Sequence, residues 1–306
     1  WWYFDCNFSD GSTIVITFFT KAPSHPKGPV KPQVQVVVTK PDGQKISSNH
    51  YFLPNEFSAS KEKCDVKIGP NTISGDLKKY KVHLDLPEIS GDFEFERIAD
   101  SYSTRAKHPK GPEYFGWFCA IPYGKVQADA TFDGKKHSLR GFGYHDHNWG
   151  IVNIQDVCQY WYWGRGNAGD YSIIYTVMVL PKILGRKHAG MFYLAKGEKI
   201  LVESNSLELT KSNINPPKPK AGHLPTELSF ALNGEDINLE FSLSHPKLIE
   251  SVNPVGDQTG LKKLIDRFMT KPLYVRYNSD LELNVTQHGK TDTQKGTSLY
   301  EIMILH

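Results

Sequence analysis

The stretch "KVQADATFDGKK" (125 to 136) decides the fold class. Val126, Ala128, Ala130 and Phe132 alternate with Lys125, Gln127, Asp129 and Thr131, the period of a strand with one buried face. Asp133-Gly134 follows as a two-residue hairpin turn. Working outward, the pattern repeats in "STIVITFFT" (12 to 20), "PQVQVVVT" (32 to 39), "YKVHLDL" (80 to 86), "DFEFER" (92 to 97), "YSIIYTVMVL" (171 to 180), "INLEFSL" (237 to 243) and "LYVRY" (273 to 277). Turn residues such as "PDG" and "LNGED" sit between them, so the sequence predicts an antiparallel all-β protein. One short helix is expected over "GLKKLIDRFMT" (260 to 270), where Leu261, Leu264, Ile265 and Phe268 share a face. The proline-rich "NINPPKPKAGHLP" (213 to 225) reads as a surface loop.

A length of 306 residues predicts two domains, with the boundary after Gly150: 1–150 and 151–306. Lys+Arg number 36 against 33 Asp+Glu, a net charge of +3, which excludes a nucleic-acid partner on electrostatic grounds. No apolar run approaches the ~18 residues that cross a bilayer, so no transmembrane segment is expected. The four cysteines form no CxxC pair; they read as buried thiols or two disulfides rather than a structural zinc site. With sequons at Asn7 and Asn284 and no initiating Met, the compartment stays open between cytoplasm and secretion.

"GRGNAGD" has the G-x-G-x-x-G spacing of Gly164, Gly166 and Gly169, but the strand that follows excludes a dinucleotide site and leaves a glycine-rich hairpin. The chemically dense stretch is "GFGYHDHNWG" (141 to 150). Extended, it puts His145, His147 and Trp149 on one face and Tyr144, Asp146 and Asn148 on the other. Three readings stand: a His-x-His metal site whose third ligand the spacing does not locate, a hydrogen-bonded core, and acid–base chemistry beside an aromatic wall. In the third, an imidazole delivers a proton, Asp146 fixes its tautomer, and Trp149 stabilises a developing cation through its π face.

"VCQYWYWGRG" (157 to 166) continues the aromatic theme: Trp161 and Trp163 line one face, Tyr160 and Tyr162 the other, with Arg165 beyond them to anchor a polar group or close a turn. At the amino end "WWYFD" places Tyr3 and Asp5 on one face, and a carboxylate on an aromatic strand suggests a pocket or a buried partner.

"WWYFD", "GYHDHNWG" and "YWYWGR", in that order, resemble the carotenoid 1,2-hydratase (hydroxyneurosporene synthase) and AttH-like lipocalin-like superfamily, to which kievitone hydratase and fungal lipocalin-like Diels–Alderases are similar. The resemblance implies two lipocalin-like β domains, an N-terminal sandwich or open barrel and a C-terminal barrel. It also implies chemistry without a cofactor or metal on hydrophobic terpenoid, prenylated or polyene molecules. In the hydratases the His and Trp of H-N-W are required, which carries over to His147 and Trp149. A downstream tyrosine with an acid two positions later completes that site. Here Tyr175 is followed by Val177, so another acid such as Asp146 or Asp5 has to serve.

The resulting expectation is a hydratase or cyclase, monomeric or homodimeric, that protonates a carbon–carbon double bond. His147, Asp146, Trp149 and Tyr175 are its catalytic candidates, and Tyr3, Asp5, His145, Trp161, Tyr162, Trp163 and Arg165 line the substrate. A pericyclase, which only folds a polyene, and a non-enzymatic carrier of hydrophobic ligands are the alternatives.

Overall fold

The computed structural model describes residues 1–21, 28–107, 114–151, 158–180, 185, 188–212, 227–252 and 273–305. The chain divides into two compact units, Trp1–Asn153 and Ile154–His306. Among the described residues the one helical turn is a 3-10 turn at Pro54–Glu56, and everything else regular is strand. The helix expected at 260 to 270 and the loop at 213 to 225 lie outside the described residues.

In the first unit β1 (Trp2–Phe8), β2 (Thr13–Phe19), β3 (Gln33–Thr39) and β4 (Lys45–Tyr51) form one meander. A second comprises β5 (Phe57–Ala59), β6 (Cys64–Ile68), β7 (Asn71–Gly75), β8 (Lys79–Asp85) and β9 (Ile89–Arg97). Then come β10 (Tyr102–Lys107) and two long strands, β11 (Tyr114–Phe132) and β12 (Lys135–Gly150). The sheet runs β4-β3-β2-β1-β12-β11-β9-β8-β7-β6-β5, with β10 also paired to β11. The unit's last strand therefore returns to its first. The edge strands β4 and β5 are consecutive in the chain, joined by residues 52–56. A link that short reaches at most ~3.5 Å per residue, so the sheet has to curl until its edges approach.

The second unit repeats the device with β13 (Tyr160–Ala168), β14 (Tyr171–Val179), β15 (His188–Lys196), β16 (Lys199–Ser204), β17 (Glu208–Ser212), β18 (Leu228–Asn233), β19 (Ile237–Val252), β20 (Leu273–Gln287) and β21 (Lys290–Ile304). Its order is β16-β15-β14-β13-β21-β20-β19-β18-β17, first strand again beside last. Two curled antiparallel sheets match the expected pair of lipocalin-like domains.

Each curl encloses the apolar half of its strands. Phe4, Ile14, Ile16, Phe18, Phe93 and Phe95 fill the first, and Phe192, Phe230, Phe241 and Leu283 the second. Burying a side chain of this kind contributes roughly 1.5–3 kcal/mol. Cys6, Cys119 and Cys158 are buried and Cys64 is partly buried, with no disulfide joining any of them. Among the described residues no helix is long and apolar enough to cross a membrane.

The "GRGNAGD" glycines lie in a hairpin: Gly164 and Gly166 are within β13, and Gly169, at φ 56°, turns the chain into β14. Gly164 has a packing reason. A Cβ there would run into the ring and hydroxyl of Tyr175, which is held by Ser298 Oγ at 2.9 Å and by the rings of Phe230 and Phe241 at 5.2 and 4.9 Å. Gly164→Ala is expected to cost about 1–3 kcal/mol, read as a lower urea midpoint at unchanged m-value.

Candidate functional site

The site is assembled by β12, which lies between β1 and β11. On the β1 side Trp2 faces His147, Tyr3 faces Asp146, Phe4 faces His145 and Asp5 faces Tyr144. On the β11 side Trp117 faces Asn148, Phe118 faces His147 and Cys119 faces Asp146. Directly opposed residues of an antiparallel pair project to the same side, so the alternation along β12 sorts these groups onto two faces.

The face toward the core carries Trp2, Phe4, His145 and His147. The His145 ring lies flat on Phe4, centroids 3.8 Å apart at 1°, with Tyr80 edge-on at 4.5 Å. Its Nδ1 is 2.9 Å from the Tyr3 carbonyl oxygen, which only accepts, so the proton sits on Nδ1. Burial pushes its pKa down from 6.5 to about 3. His145 is a neutral group stacked within the interior of the first unit.

His147 is different. Its ring is stacked on Trp2 at 4.5 Å and 8°, and Trp149 covers it at 5.1 Å and 35°. The imidazole is thus held between two indoles, and among the described residues its nitrogens make no hydrogen bond. Desolvation pushes its pKa from 6.5 to about 3. The two π faces act in the opposite sense, since they attract a cation and stabilise the charged ring when the proton arrives. Trp149 is 38% exposed, so this sandwich reaches the surface. Its indole rests over Gly116, where any Cβ would collide with the ring.

The opposite face carries Tyr3, Asp5, Tyr144, Asp146, Asn148 and Trp117. Asp146 accepts three hydrogen bonds: Trp117 Nε1 at 3.0 Å and Tyr144 OH at 2.7 Å on Oδ2, and Asn148 Nδ2 at 2.7 Å on Oδ1. Burial, followed by the Asp146 charge, lifts the Tyr144 phenol well above its usual range. Tyr3 donates to Asp5 at 3.2 Å. The register of β11 shifts twice opposite Tyr144 and His145, between Cys119 and Ile121 and between Ile121 and Gly124. Such bulges re-aim side chains, and here the shift lies beside the Trp117–Asn148 and Cys119–Asp146 pairings.

This overturns one expected pairing. Asp146 projects from the far side of the sheet and does not polarise His147; it anchors Trp117, Tyr144 and Asn148 instead. Trp117 was missed by sequence reasoning, because "GWFCA" lacks the alternation that would have flagged it.

The remaining candidates belong to the second unit. Tyr175 sits in its core with the hydroxyl bonded to Ser298 at 2.9 Å, and burial raises its pKa far above the usual phenol value. That placement puts it in the interior of the second unit, packed with Phe230 and Phe241. Tyr162 points into the same interior.

Trp161 and Trp163 project from the other side, as their alternation predicts. Trp161 Nε1 donates to Glu301 Oε1 at 3.2 Å, Tyr274 OH donates to Glu301 Oε2 at 2.7 Å, and Arg276 Nη2 lies 3.9 Å from that oxygen. Trp163 faces Glu301 in the register, and Arg165 is buried one position further along this face. Glu301 was also missed; a lone carboxylate inside the apolar "SLYEIMI" was its signal. Among the described residues no three His, Cys, Asp or Glu side chains converge as metal ligands.

Two curled antiparallel sheets, the first presenting an imidazole between indoles, define an all-β protein of lipocalin-like architecture. The chain belongs to the Diels-Alderase-like family, whose model matches residues 1–213. It is 24% identical over 223 residues to the hexane cyclase gkaB of Penicillium citrinum, covering 67% of this chain and 51% of that one. It is 34% identical over 184 residues to a hydroxyneurosporene dehydrogenase of Chlorobaculum tepidum, covering 58% and 42%. The fold resembles that of CghA solved with Sch210972, at a TM-score of 0.68 and 15% identity over 99% of this chain and 87% of that one. The chain spans about half or less of the length of the curated relatives it matches.

Two measurements check this geometry. Asp146→Ala strands three buried donors, at roughly 1–3 kcal/mol each, and is expected to lower the urea midpoint far more than Asp5→Ala. His145, neutral when folded, takes up its proton on unfolding below pH 6.5. His145 therefore takes about 1.4 kcal/mol per pH unit from the stability of the fold as pH falls from about 6.5 toward 3, and the equally depressed His147 adds to this. His145→Phe is expected to flatten that slope by one proton in denaturant titrations between pH 6 and 4.

Proposed function

We propose that this chain is an enzyme of lyase or isomerase type, a cofactor-free cyclase or hydratase that protonates a carbon–carbon double bond in a terpenoid, prenylated or polyene molecule. The observation that carries the reading is His147 between Trp2 and Trp149, with its nitrogens unbonded among the described residues. The name of the cyclase relative and the family's description support the same class of chemistry.

In the first step the imidazolium N–H of His147 passes its proton to an alkene carbon, leaving a neutral ring and a carbocation. The indole faces of Trp2 and Trp149 stabilise that cation. Capture by an internal alkene or hydroxyl closes a ring; capture by water gives an alcohol. The proton released in either outcome returns to His147, so the cycle consumes no acid. With a pKa of about 3, roughly one ring in ten thousand is charged at pH 7, but that ring is a strong acid, as a weakly basic alkene requires. The aromatic walls keep competing water out and favour ring closure.

The lowered pKa also favours a second reading. A neutral imidazole is a hydrogen-bond donor, which suits a pericyclase that polarises a carbonyl and folds a polyene.

Purified protein incubated in deuterated water with prenylated phenols, linear terpenoids and polyenes separates the two by mass spectrometry. Proton transfer predicts carbon-bound deuterium in the product, lost in His147→Gln, and a kcat/KM that rises up to tenfold per pH unit as pH falls from 7 to 5. Isomerised product without carbon-bound deuterium, at a rate flat across that range, supports the pericyclase and refutes protonation. Unchanged substrate throughout refutes both and leaves a carrier.

A further inference from the structure

The interior of the second unit holds a polar group that its packing does not explain. Tyr277 on β20 is 5% exposed, and its buried hydroxyl has no hydrogen-bond partner among the described residues. It faces Tyr300 of β21, the two rings stacked at 5.1 Å and 25°. Tyr300 in turn faces Gly164 of β13, whose missing side chain leaves room for the ring of Tyr175 from β14. Two residues before Gly164, on the same side of β13, Tyr162 joins the buried cluster, with Tyr160 edge-on at 6.1 Å.

The tyrosine on the far side of Gly164, in the same row across the sheet, behaves differently. There Tyr175 and Ser298 bond each other, and Ser298 also donates to the Arg165 carbonyl at 2.9 Å. A core that satisfies one hydroxyl and strands the next is unusual, because buried polar groups nearly always find partners. Packing alone does not call for the Tyr277 oxygen. Phenylalanine would stack on Tyr300 equally well and leave nothing unsatisfied.

We propose that the Tyr277 hydroxyl, walled by the rings of Tyr300 and Tyr162, is a binding site for the carbonyl end of an apolar conjugated molecule. The phenol O–H donates to the carbonyl oxygen, and the rings stack on the flat body behind it. A site of this kind holds a ligand within the second unit alone and does not depend on the reading of His147.

Prodan, a naphthyl ketone whose emission moves to the red when its carbonyl accepts a hydrogen bond, is a suitable probe. Titrated into the full chain, it is expected to saturate a site with red-shifted emission. Tyr277→Phe is expected to weaken that binding about three- to tenfold and shift the bound emission to the blue. Its urea midpoint is expected to equal or exceed that of the unmodified chain, since an unsatisfied hydroxyl has been removed. Tyr300→Leu, which removes a wall, weakens binding as well, and His147→Gln leaves the titration unchanged. The proposal is overturned by absence of saturable Prodan binding, or by identical affinity and emission in Tyr277→Phe. A Tyr277→Phe chain that is destabilised or unfolded overturns it too, because the hydroxyl would then have a structural partner.

Discussion

The site rests on the register that fixes β12 between β1 and β11. Along a strand the side-chain period is two, so a slip of one residue would exchange every group between the faces. His147 would leave the indole of Trp2 and arrive on the far face, beside Tyr3 and Trp117 of the neighbouring strands. The Asp146 carboxylate would enter the apolar interior beside Phe4, where an ion is costly. The correct register is the one in which the aromatic face is dry and the carboxylate has three donors. Stability and site geometry are thus set by the same contacts.

That arrangement also explains how a chain can keep an imidazole in a low-polarity setting. Asp146 bonds Trp117 of the neighbouring strand and Tyr144 and Asn148 of its own, and so holds β12 and β11 in register from behind. The front is left to rings. A carboxylate in contact with His147 would raise its pKa and weaken it as an acid; placing the carboxylate behind the sheet avoids this. The anchoring carboxylate and the dry imidazole are thus kept on opposite faces of one strand.

Much of this was legible in the sequence. Alternation in "KVQADATF" and the Asp133-Gly134 turn marked β11, the hairpin and the fold class. The same period sorted His147 and Trp149 from Asp146 and separated Trp161 and Trp163 from Tyr162. What stayed hidden lay in partners supplied across strands. Trp117 meets Asp146 only through a doubly bulged register, and Trp2 meets His147 only because the first strand pairs with the last of its unit. Tyr175 was singled out by resemblance, and its bond to Ser298, supplied by the last strand of its unit, was not foreseeable from its own stretch. Local patterns carry faces; they do not carry which distant strand will complete them.

The return of β12 to β1 has a consequence for synthesis. At ~5–20 residues per second, the ribosome needs roughly ten seconds or more between releasing "WWYFD" and delivering its partner strand. Throughout that interval one edge of β1, rich in indole and phenyl rings, has no neighbour, the kind of surface on which nascent chains associate. The same waiting recurs for β13, whose partner β21 closes the second unit. Each unit therefore closes only when its last strand has been made, and until then its first strand keeps one ladder of backbone donors and acceptors open.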